Sequence, residues 1–165
     1  MLSTGGRAAV RGLPKLRWIM KIIGTITIPG EPVAKGRPRV YRVGKHTRAI
    51  TPPKTVAYES MVALVASEAW EGEPIAADVP VAVIIDAYFK RPKRLMRRKD
   101  PTGDIPHTKR PDGDNVAKAV LDGLDKAGIW HDDSQVTNLT IRKWYCATVH
   151  RTEPRTVIRI EVQSE

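Results

Sequence analysis

The sequence predicts a single small α+β domain in which helices pack on a mixed sheet. Four segments have the alternation or the β-branched composition of strands, and two segments have the apolar spacing of helices. These elements follow the order β-α-β-α-β-β without an internal repeat, which is typical of an α+β fold. With 165 residues and 41% hydrophobic residues, the chain can bury one core.

The first half of the chain contributes one strand and one helix. Residues 22–28 alternate Ile and Thr and end at Pro29-Gly30, which predicts the first strand. Residues 53–70 have apolar side chains at helical spacing and are followed by the helix-breaking sequence GEP. The apolar residues that define this helix are Val56, Met61, Leu64, Val65 and Ala69.

The second half contributes the remaining elements. Residues 79–89 form a strongly apolar run with β-branched residues, which predicts a buried strand. Residues 114–127 predict a helix that stops at Gly128. Residues 136–149 and 156–162 predict the last two strands. The core stripe of the second helix is expected to consist of Val116, Val120, Leu124 and Ala127.

Residues 1–19 stand apart from the predicted domain, which spans residues 20–165. They contain four basic residues and no acidic one, and they lack the apolar stretch of a signal peptide. Met20 then opens a sequence that reads like a natural start and runs into the first strand. We interpret residues 1–19 as a basic extension, either a disordered arm or the product of a misassigned start codon.

The charge of the chain favours a nucleic-acid partner. It contains 28 Lys and Arg against 18 Asp and Glu, and Lys and Arg side chains neutralise phosphates. Two segments, residues 32–56 and 90–111, concentrate this charge, and the first has no acidic residue. Cys146 is the only cysteine and is expected in the core, so no intrachain disulfide forms, which fits a reducing cytoplasm. No apolar run approaches the roughly 18 residues that a membrane span needs.

Against this basic background, residues 110–133 hold six of the 18 acidic residues. Asp112 and Asp114 stand at the start of the second helix, where one Asp suffices as a cap, so capping leaves a surplus carboxylate. Asp132 and Asp133 follow the helix, and a returning strand can bring Asp133 near the helix start. Further along the helix, Asp122 is interpreted as an ordinary solvated pair with the lysine four residues later, and Asp125 as a surface residue.

Converging carboxylates would repel one another unless a cation neutralised them. Mg²⁺ prefers oxygen ligands, whereas the residues after Asp114 lack the later ligands of an EF-hand, and one Cys with four scattered His does not suit zinc. Lys118, four residues after Asp114, could stabilise charge on a phosphate. The residues alone therefore favour a metal-dependent nuclease, with a helix-capping cluster on a DNA-binding protein left open.

The motifs PDGDNVAKAVLDGL and AGIWHDDSQV together resemble the RusA family of Holliday junction resolvases, many of which are carried by phages and prophages. The match is ungapped over about 27 residues, and the segment PVAKGRPR is similar to the form in phage-type members. The resemblance extends over residues 20–163. It implies a small α+β domain that forms a homodimer, with two active sites that face a symmetric four-way junction and resolve it by paired nicks in recombination and repair.

The resemblance also implies roles for individual residues. Asp112, Asp114 and Asp133 would bind Mg²⁺, for which Mn²⁺ can substitute, and Lys118 would be the lysine of the catalytic helix. Asn115 matches the motif as an orienting residue. Localisation in a bacterial cytoplasm, with a phage or prophage origin, follows from the same resemblance.

The resemblance assigns no role to several other residues. Asp132 could assist the metal site. His131 replaces an apolar residue of the motif and is expected at the surface. Tyr41 or Trp130 could stack on an unpaired base, although packing in the core or at a dimer interface is favoured. The residues predicted to contact DNA are Lys35, Arg37, Arg39, Lys109 and Arg110.

Two alternatives to a junction resolvase remain at this point. One is a structure-selective DNA-binding protein without cleavage activity, whose acidic cluster is structural. The other is a nuclease of the same chemistry with a broader specificity for branched DNA.

Overall fold

The computed structural model describes residues 19–149 and 152–164. This part of the chain contains seven strands and two α-helices. Two short 3-10 helices, Lys93–Leu95 and Asp133–Gln135, lie between them. The helices are α1 (Pro53–Ala69) and α2 (Gly113–Lys126). The strands are β1 (Ile19–Pro29), β2 (Arg39–Val43), β3 (His46–Ile50), β4 (Val81–Phe89), β5 (Ile105–Pro106), β6 (Val136–Tyr145) and β7 (Arg155–Ser164).

Five of the strands form one mixed sheet in the order β1-β7-β4-β6-β5. Strands β4 and β6 run parallel, and the other neighbours run antiparallel. The central strand β4 is buried along most of its length, which explains its continuous apolar sequence. The predicted α+β class, the mixed sheet and the order of the six main elements are therefore confirmed.

Three strands were not predicted from the sequence. Strands β2 and β3 form a separate hairpin within the basic segment, and the two-residue β5 pairs with the end of β6. Their residues are mostly exposed and basic or interrupted by Pro and Gly, so no core-facing alternation marks them. The hairpin turns at Gly44, whose φ of 63° is a conformation that glycine adopts without strain.

Both helices pack against one face of the sheet, where Val83, Ile85 and Ile158 meet Val62 and Leu124 in the main core. The opposite face carries a polar network around Asp86, which lies between the residues of β4 that point to the core. Asp86 accepts two hydrogen bonds of 2.7 Å from Arg142 and others from Trp144 and Arg159. Burial raises the pKa of Asp86, but these hydrogen bonds and charges outweigh burial and hold it below its ordinary value.

Helix α1 is confirmed, but most of the apolar residues whose spacing predicted it do not face the core. The side chains of Val56, Met61 and Leu64 are 43%, 44% and 59% exposed. The face that packs on the sheet consists instead of Thr55, Tyr58, Glu59, Val62 and Ala66. Because apolar residues occur all around this helix, their spacing does not distinguish the inner face from the outer one. The outward apolar face of α1, defined by Val56, Met61 and Leu64, has no partner within the described chain.

Helix α2 buries Val116, Val120 and Leu124, as predicted. Its expected surface pair does not form. Asp122 forms an ion pair with Lys35, and Lys126 forms one of 2.5 Å with Glu59 of α1. Asp122 and Lys126 each pair with a side chain on another segment, and that partner side chain is at least partly removed from water. This burial favours these two pairs over an exposed pair along the helix.

Several further expectations can be compared with the structure. Trp130 and Cys146 are each 3% exposed and belong to the core, and His131 is exposed, as favoured. The interpretation of residues 1–19 falls largely on residues 1–18, which lie outside the described residues. Strand β1 begins at Ile19, one residue before the predicted domain boundary. Among the described residues, no helix combines the length and the apolar character needed to cross a membrane.

A glycine fixes how closely the two helices approach. A Cβ at Gly123 would come within 2.5 Å of the Cβ of Val62 and 2.9 Å of the carbonyl oxygen of Glu59. We expect Gly123→Ala to lower the free energy of unfolding by about 1 kcal/mol or more, because the clash outweighs the better helix propensity of Ala. Urea unfolding followed by circular dichroism measures this change.

The matched control is Gly113→Ala in the first turn of the same helix, where the nearest atoms would lie at 3.5 Å, an ordinary contact. This variant should be as stable as the wild type or slightly more so. Equal stability of the two variants would contradict the role given to Gly123.

Candidate active site

The site begins at the N-terminus of α2. Asp112 occupies the cap position in an extended conformation, yet its side chain makes no capping hydrogen bond. Asp114 lies in the first turn, and both carboxylates are exposed. Neither forms an ion pair with any side chain of the described chain within 4 Å. Helix capping therefore does not account for Asp112, and both carboxylates are available to a ligand at the positive end of the helix dipole.

Asp112 lines an open cleft of about 730 Å³. The cleft brings Asp112 together with three of the predicted DNA contacts and with Asn115. Its lining consists of Ala34, Lys35, Arg37, Arg110, Pro111, Asp112 and Asn115. The backbone N–H of Lys35 donates a 2.7 Å hydrogen bond to the carbonyl oxygen of Asn115, which ties the basic segment to α2. One carboxylate, that of Asp112, thus shares a concave surface with the guanidinium groups of Arg37 and Arg110.

The other predicted DNA contacts lie around this cleft. Lys109 is exposed in the loop before Arg110, and Arg39 begins β2, outside the cleft lining. The ammonium group of Lys35 already pairs with Asp122, and this hydrogen-bonded partner raises the pKa of Lys35. Lys35 therefore holds two segments together whether or not it meets a phosphate.

Lys118 lies one turn beyond Asp114 on α2 and is exposed. Its ammonium group forms no ion pair with a carboxylate that the structure describes. Residues four apart on a helix share a face, so Lys118 and Asp114 can reach the same ligand.

Asp133 lies at the opposite end of α2 from Asp112 and Asp114. Strand β6 runs back along the helix, so that Gly113 packs near Ile141 and Lys143, whereas Asp133 precedes the start of the strand. Fourteen residues of helix span about 20 Å. Within the described residues of one chain, no group of three His, Cys, Asp or Glu side chains could hold a metal ion. The expected convergence of Asp133 with the other two carboxylates thus does not occur in a single chain.

A sequence model of the family described as endodeoxyribonuclease RusA matches residues 29–161, which include the cleft and all of α2. The chain belongs to the RusA family. It is an endodeoxyribonuclease, a hydrolase that resolves Holliday junctions, and nucleases of this family are metal-dependent. The chain is also similar to the uncharacterized protein YqaN of Bacillus subtilis (strain 168), with 38% identity over 141 residues that cover 81% of this chain and 92% of that protein.

The carboxylates at the start of α2 fit the metal that the RusA family requires. Both are exposed, both are free of cationic partners in the described chain, and Asp112 is not used as a cap. A hard divalent cation such as Mg²⁺ is commonly held by one or two carboxylates together with waters and substrate phosphates. Asp112 and Asp114 meet this requirement in one chain, and Asp133 does not join them there.

Asp132 has a structural role that its sequence position did not reveal. Its Oδ1 accepts a 2.8 Å hydrogen bond from the backbone of Ser134, and the side chain of Gln135 accepts from the backbone of Asp132 in return. Gln135 also donates to the carbonyl oxygens of Ala76 and Val79. The hydrogen bonds from Ser134 lower the pKa of Asp132. This capping box fixes the turn between α2 and β6.

The loop that leads into the site is held by a residue that sequence reasoning missed. The ammonium group of Lys143 on β6 donates to the carbonyl oxygens of Lys109 (2.8 Å) and Pro111 (2.6 Å). Lys143 is 32 residues from Pro111, so no local pattern could have identified it.

His107 anchors the same loop. Its ring packs against Phe89 and Tyr145, with ring centroids 4.3 and 4.4 Å apart, and its backbone N–H donates to the carbonyl oxygen of Lys143. Burial, followed by the charge of Lys143, lowers the pKa of His107. A neutral imidazole can stay buried between aromatic rings without a counter-charge.

We expect Lys143→Met to slow junction cleavage by about tenfold or more, because the loop carrying Asp112 loses two charge-assisted hydrogen bonds and the carboxylate is less well positioned. Trypsin should also cut after Lys109 faster than in the wild type. Single-turnover cleavage and limited proteolysis measure the two effects.

Lys99→Met serves as the control, since Lys99 is exposed and outside the cleft. It should leave both rates unchanged. If the Lys143→Met variant cleaved junctions at the wild-type rate, the position of the loop would not depend on Lys143.

Proposed function

We propose that this protein is a Mg²⁺-dependent resolvase that cuts four-way DNA junctions by paired, symmetric nicks in recombination and repair. The proposal rests on Asp112 and Asp114, two carboxylates at the N-terminus of α2 that form no ion pair within the described chain. They lie beside a cleft lined by Arg37 and Arg110. Family membership supplies the substrate class. The nucleic-acid substrate and the lack of an intrachain disulfide support action in a bacterial cytoplasm.

Asp112 and Asp114 would hold the metal ion. Mg²⁺, or Mn²⁺ in its place, would activate a water molecule and stabilise the departing oxygen of the phosphodiester. Arg37 and Arg110 would hold the phosphate backbone in the cleft through bidentate hydrogen bonds. Lys118 would stabilise the negative charge that develops on the phosphate attacked beside Asp114.

Asn115 links the basic segment to the start of α2. It is half-buried and lines the cleft next to Asp112, and its main-chain carbonyl oxygen accepts the hydrogen bond from the backbone N–H of Lys35. We assign it to orienting the basic segment over the metal site.

Asp133 enters this proposal only through an assembly. In one chain, α2 separates Asp133 from the other two carboxylates, and this helix is about 20 Å long. If Asp133 is a third ligand, as the resemblance implies, it must reach the site from a second protomer. A homodimer would also match the two-fold symmetry of a four-way junction.

The outward apolar face of α1 is the surface that we propose for this homodimer. Val56, Met61 and Leu64 are exposed on a 17-residue helix, and a helix that is apolar on all sides is usually buried. A contact between two copies of α1 about a two-fold axis would bury this face on both chains.

To test this interface, Leu64→Asp should convert the dimer into a monomer, since it places an unpaired charge in an apolar contact. Light scattering coupled to size-exclusion chromatography measures the mass, and circular dichroism confirms the fold. Leu139→Asp is the matched control because Leu139 is an apolar residue of similar exposure on β6. If the Leu64→Asp variant remained a dimer, α1 would not form the interface.

The catalytic assignment is tested with a synthetic four-way junction. We expect Asp114→Asn to lower cleavage by more than about 100-fold, because a ligand of the metal is lost. Junction binding should stay the same or become tighter, because one negative charge near the phosphates is removed. Cleavage is measured with Mg²⁺ and with chelator, and binding by electrophoretic mobility shift.

Asp125→Asn is the control, since Asp125 is an exposed carboxylate at the other end of the same helix. It should cut like the wild type. Full activity of Asp114→Asn would overturn the metal-site assignment. Binding without cleavage by the wild type in every divalent metal would indicate a structure-selective DNA-binding protein, and equal cleavage of flaps and linear duplex would indicate a broader nuclease.

A further inference from the structure

The hairpin formed by β2 and β3 extends away from the domain. Its ten strand residues pair in register from Arg39 with Ile50 to Val43 with His46. Every side chain of the hairpin that the structure describes is exposed, and residues 39–50 make no backbone hydrogen bond to the rest of the described chain. An isolated two-stranded ribbon is marginally stable in water, so this conformation suits a segment that meets a partner.

The base of the hairpin is attached beside the active-site cleft. The backbone N–H of Gly36 donates to Thr55 Oγ1 at 3.1 Å, and a Cβ at Gly36 would lie 2.7 Å from the ring of Pro52. The preceding residue, Lys35, is bonded to Asn115 and Asp122 of α2. These contacts hold the start of the ribbon next to the residues that would bind the metal.

The charge of the hairpin is of one sign. Arg39, Arg42, Lys45 and Arg48 lie within it, and no acidic residue occurs between Glu31 and Glu59. None of these four cations forms an ion pair with a carboxylate of the described chain within 4 Å. An unneutralised basic ribbon is complementary to a polyanion and unfavourable for contact with a second copy of itself.

The register places an aromatic ring between cations on one face. Tyr41 pairs with Arg48, and both share a face with Arg39 and Ile50, because directly opposed residues and their second neighbours lie on the same side of a ribbon. Tyr41 is 47% exposed. A tyrosine ring next to a guanidinium group is a surface on which an unstacked base can stack, and its flanking cations can hold the backbone.

We infer that the β2–β3 hairpin is a second DNA-contacting element that enters the branch point of the junction, with Tyr41 and Arg48 against unstacked bases. The ribbon is about 17 Å long and slender enough to pass between the arms of branched DNA. This inference rests on the proposed function for its substrate. It goes beyond that function because it assigns recognition of the branch to a surface outside the cleft.

The double variant Tyr41→Ala/Arg48→Ala tests the inference on the full chain. Dissociation constants for a four-way junction and for a linear duplex of the same arm sequence are measured without divalent metal. The junction should bind at least about fivefold more weakly, because base stacking is lost. The duplex should weaken less, so that the preference for the junction falls.

A base-stacking readout separates stacking from charge. A junction with 2-aminopurine at the branch point should gain or lose fluorescence on binding the wild type, and this change should be absent with Tyr41→Ala alone. Val40→Ala is the matched control, because Val40 is exposed on the opposite face of the same hairpin. It should behave like the wild type in binding and fluorescence.

The outcomes distinguish the hairpin from the active site. Wild-type junction preference and fluorescence in the double variant, with normal cleavage, would overturn the hairpin inference and leave the resolvase intact. If the wild-type protein cut no DNA and the double variant still lost the preference for the junction, the hairpin inference would be supported and the resolvase proposal would be overturned. A change of the double variant from dimer to monomer would show that the hairpin contacts a second copy, and would overturn the inference.

Discussion

The close approach of α1 and α2 at Gly123 is the contact on which the placement of the active site depends. Gly123 meets Val62 where any larger side chain would collide, and the ion pair between Lys126 and Glu59 closes the same interface. Because α2 is held against both α1 and the sheet, its N-terminus is fixed in space. Lys143 and His107 then fix the loop that delivers Asp112 to that terminus.

The same rigid helix separates the acidic residues of the motif. It carries Asp112 and Asp114 at one end and leads to Asp132 and Asp133 at the other. Within one chain, the two halves of the sequence motif therefore lie at different places. The first half holds Asp112, which lines the basic cleft, and Asp114 in the first turn of α2, whereas the second half contains a capping box that fixes a turn. We connect Asp133, an exposed carboxylate of that second half, with a second protomer.

The basic charge of the chain is likewise divided by the fold. Some basic residues form ion pairs that connect segments of the fold, as Lys35 does with Asp122 and two arginines do with Asp86. Another part lines the cleft through Arg37 and Arg110. A third part stands out on the β2–β3 hairpin, where exposed cations without described partners surround Tyr41. A basic cleft and a basic ribbon side by side suit a substrate that has both a backbone to cut and a branch to recognise.

The sequence by itself determined the α+β class, the order of the main elements, the core stripe of α2 and the acidic start of that helix, because periodicity and local motifs act through neighbours along the chain. It did not determine which face of α1 is buried, since Val56 and Val62 are equally apolar and only the sheet distinguishes them. Nor did it reveal Lys143 as an anchor or the separation of Asp133 from Asp114. Those features depend on residues far apart in the chain, and only the packing of α2 along β6 decided them.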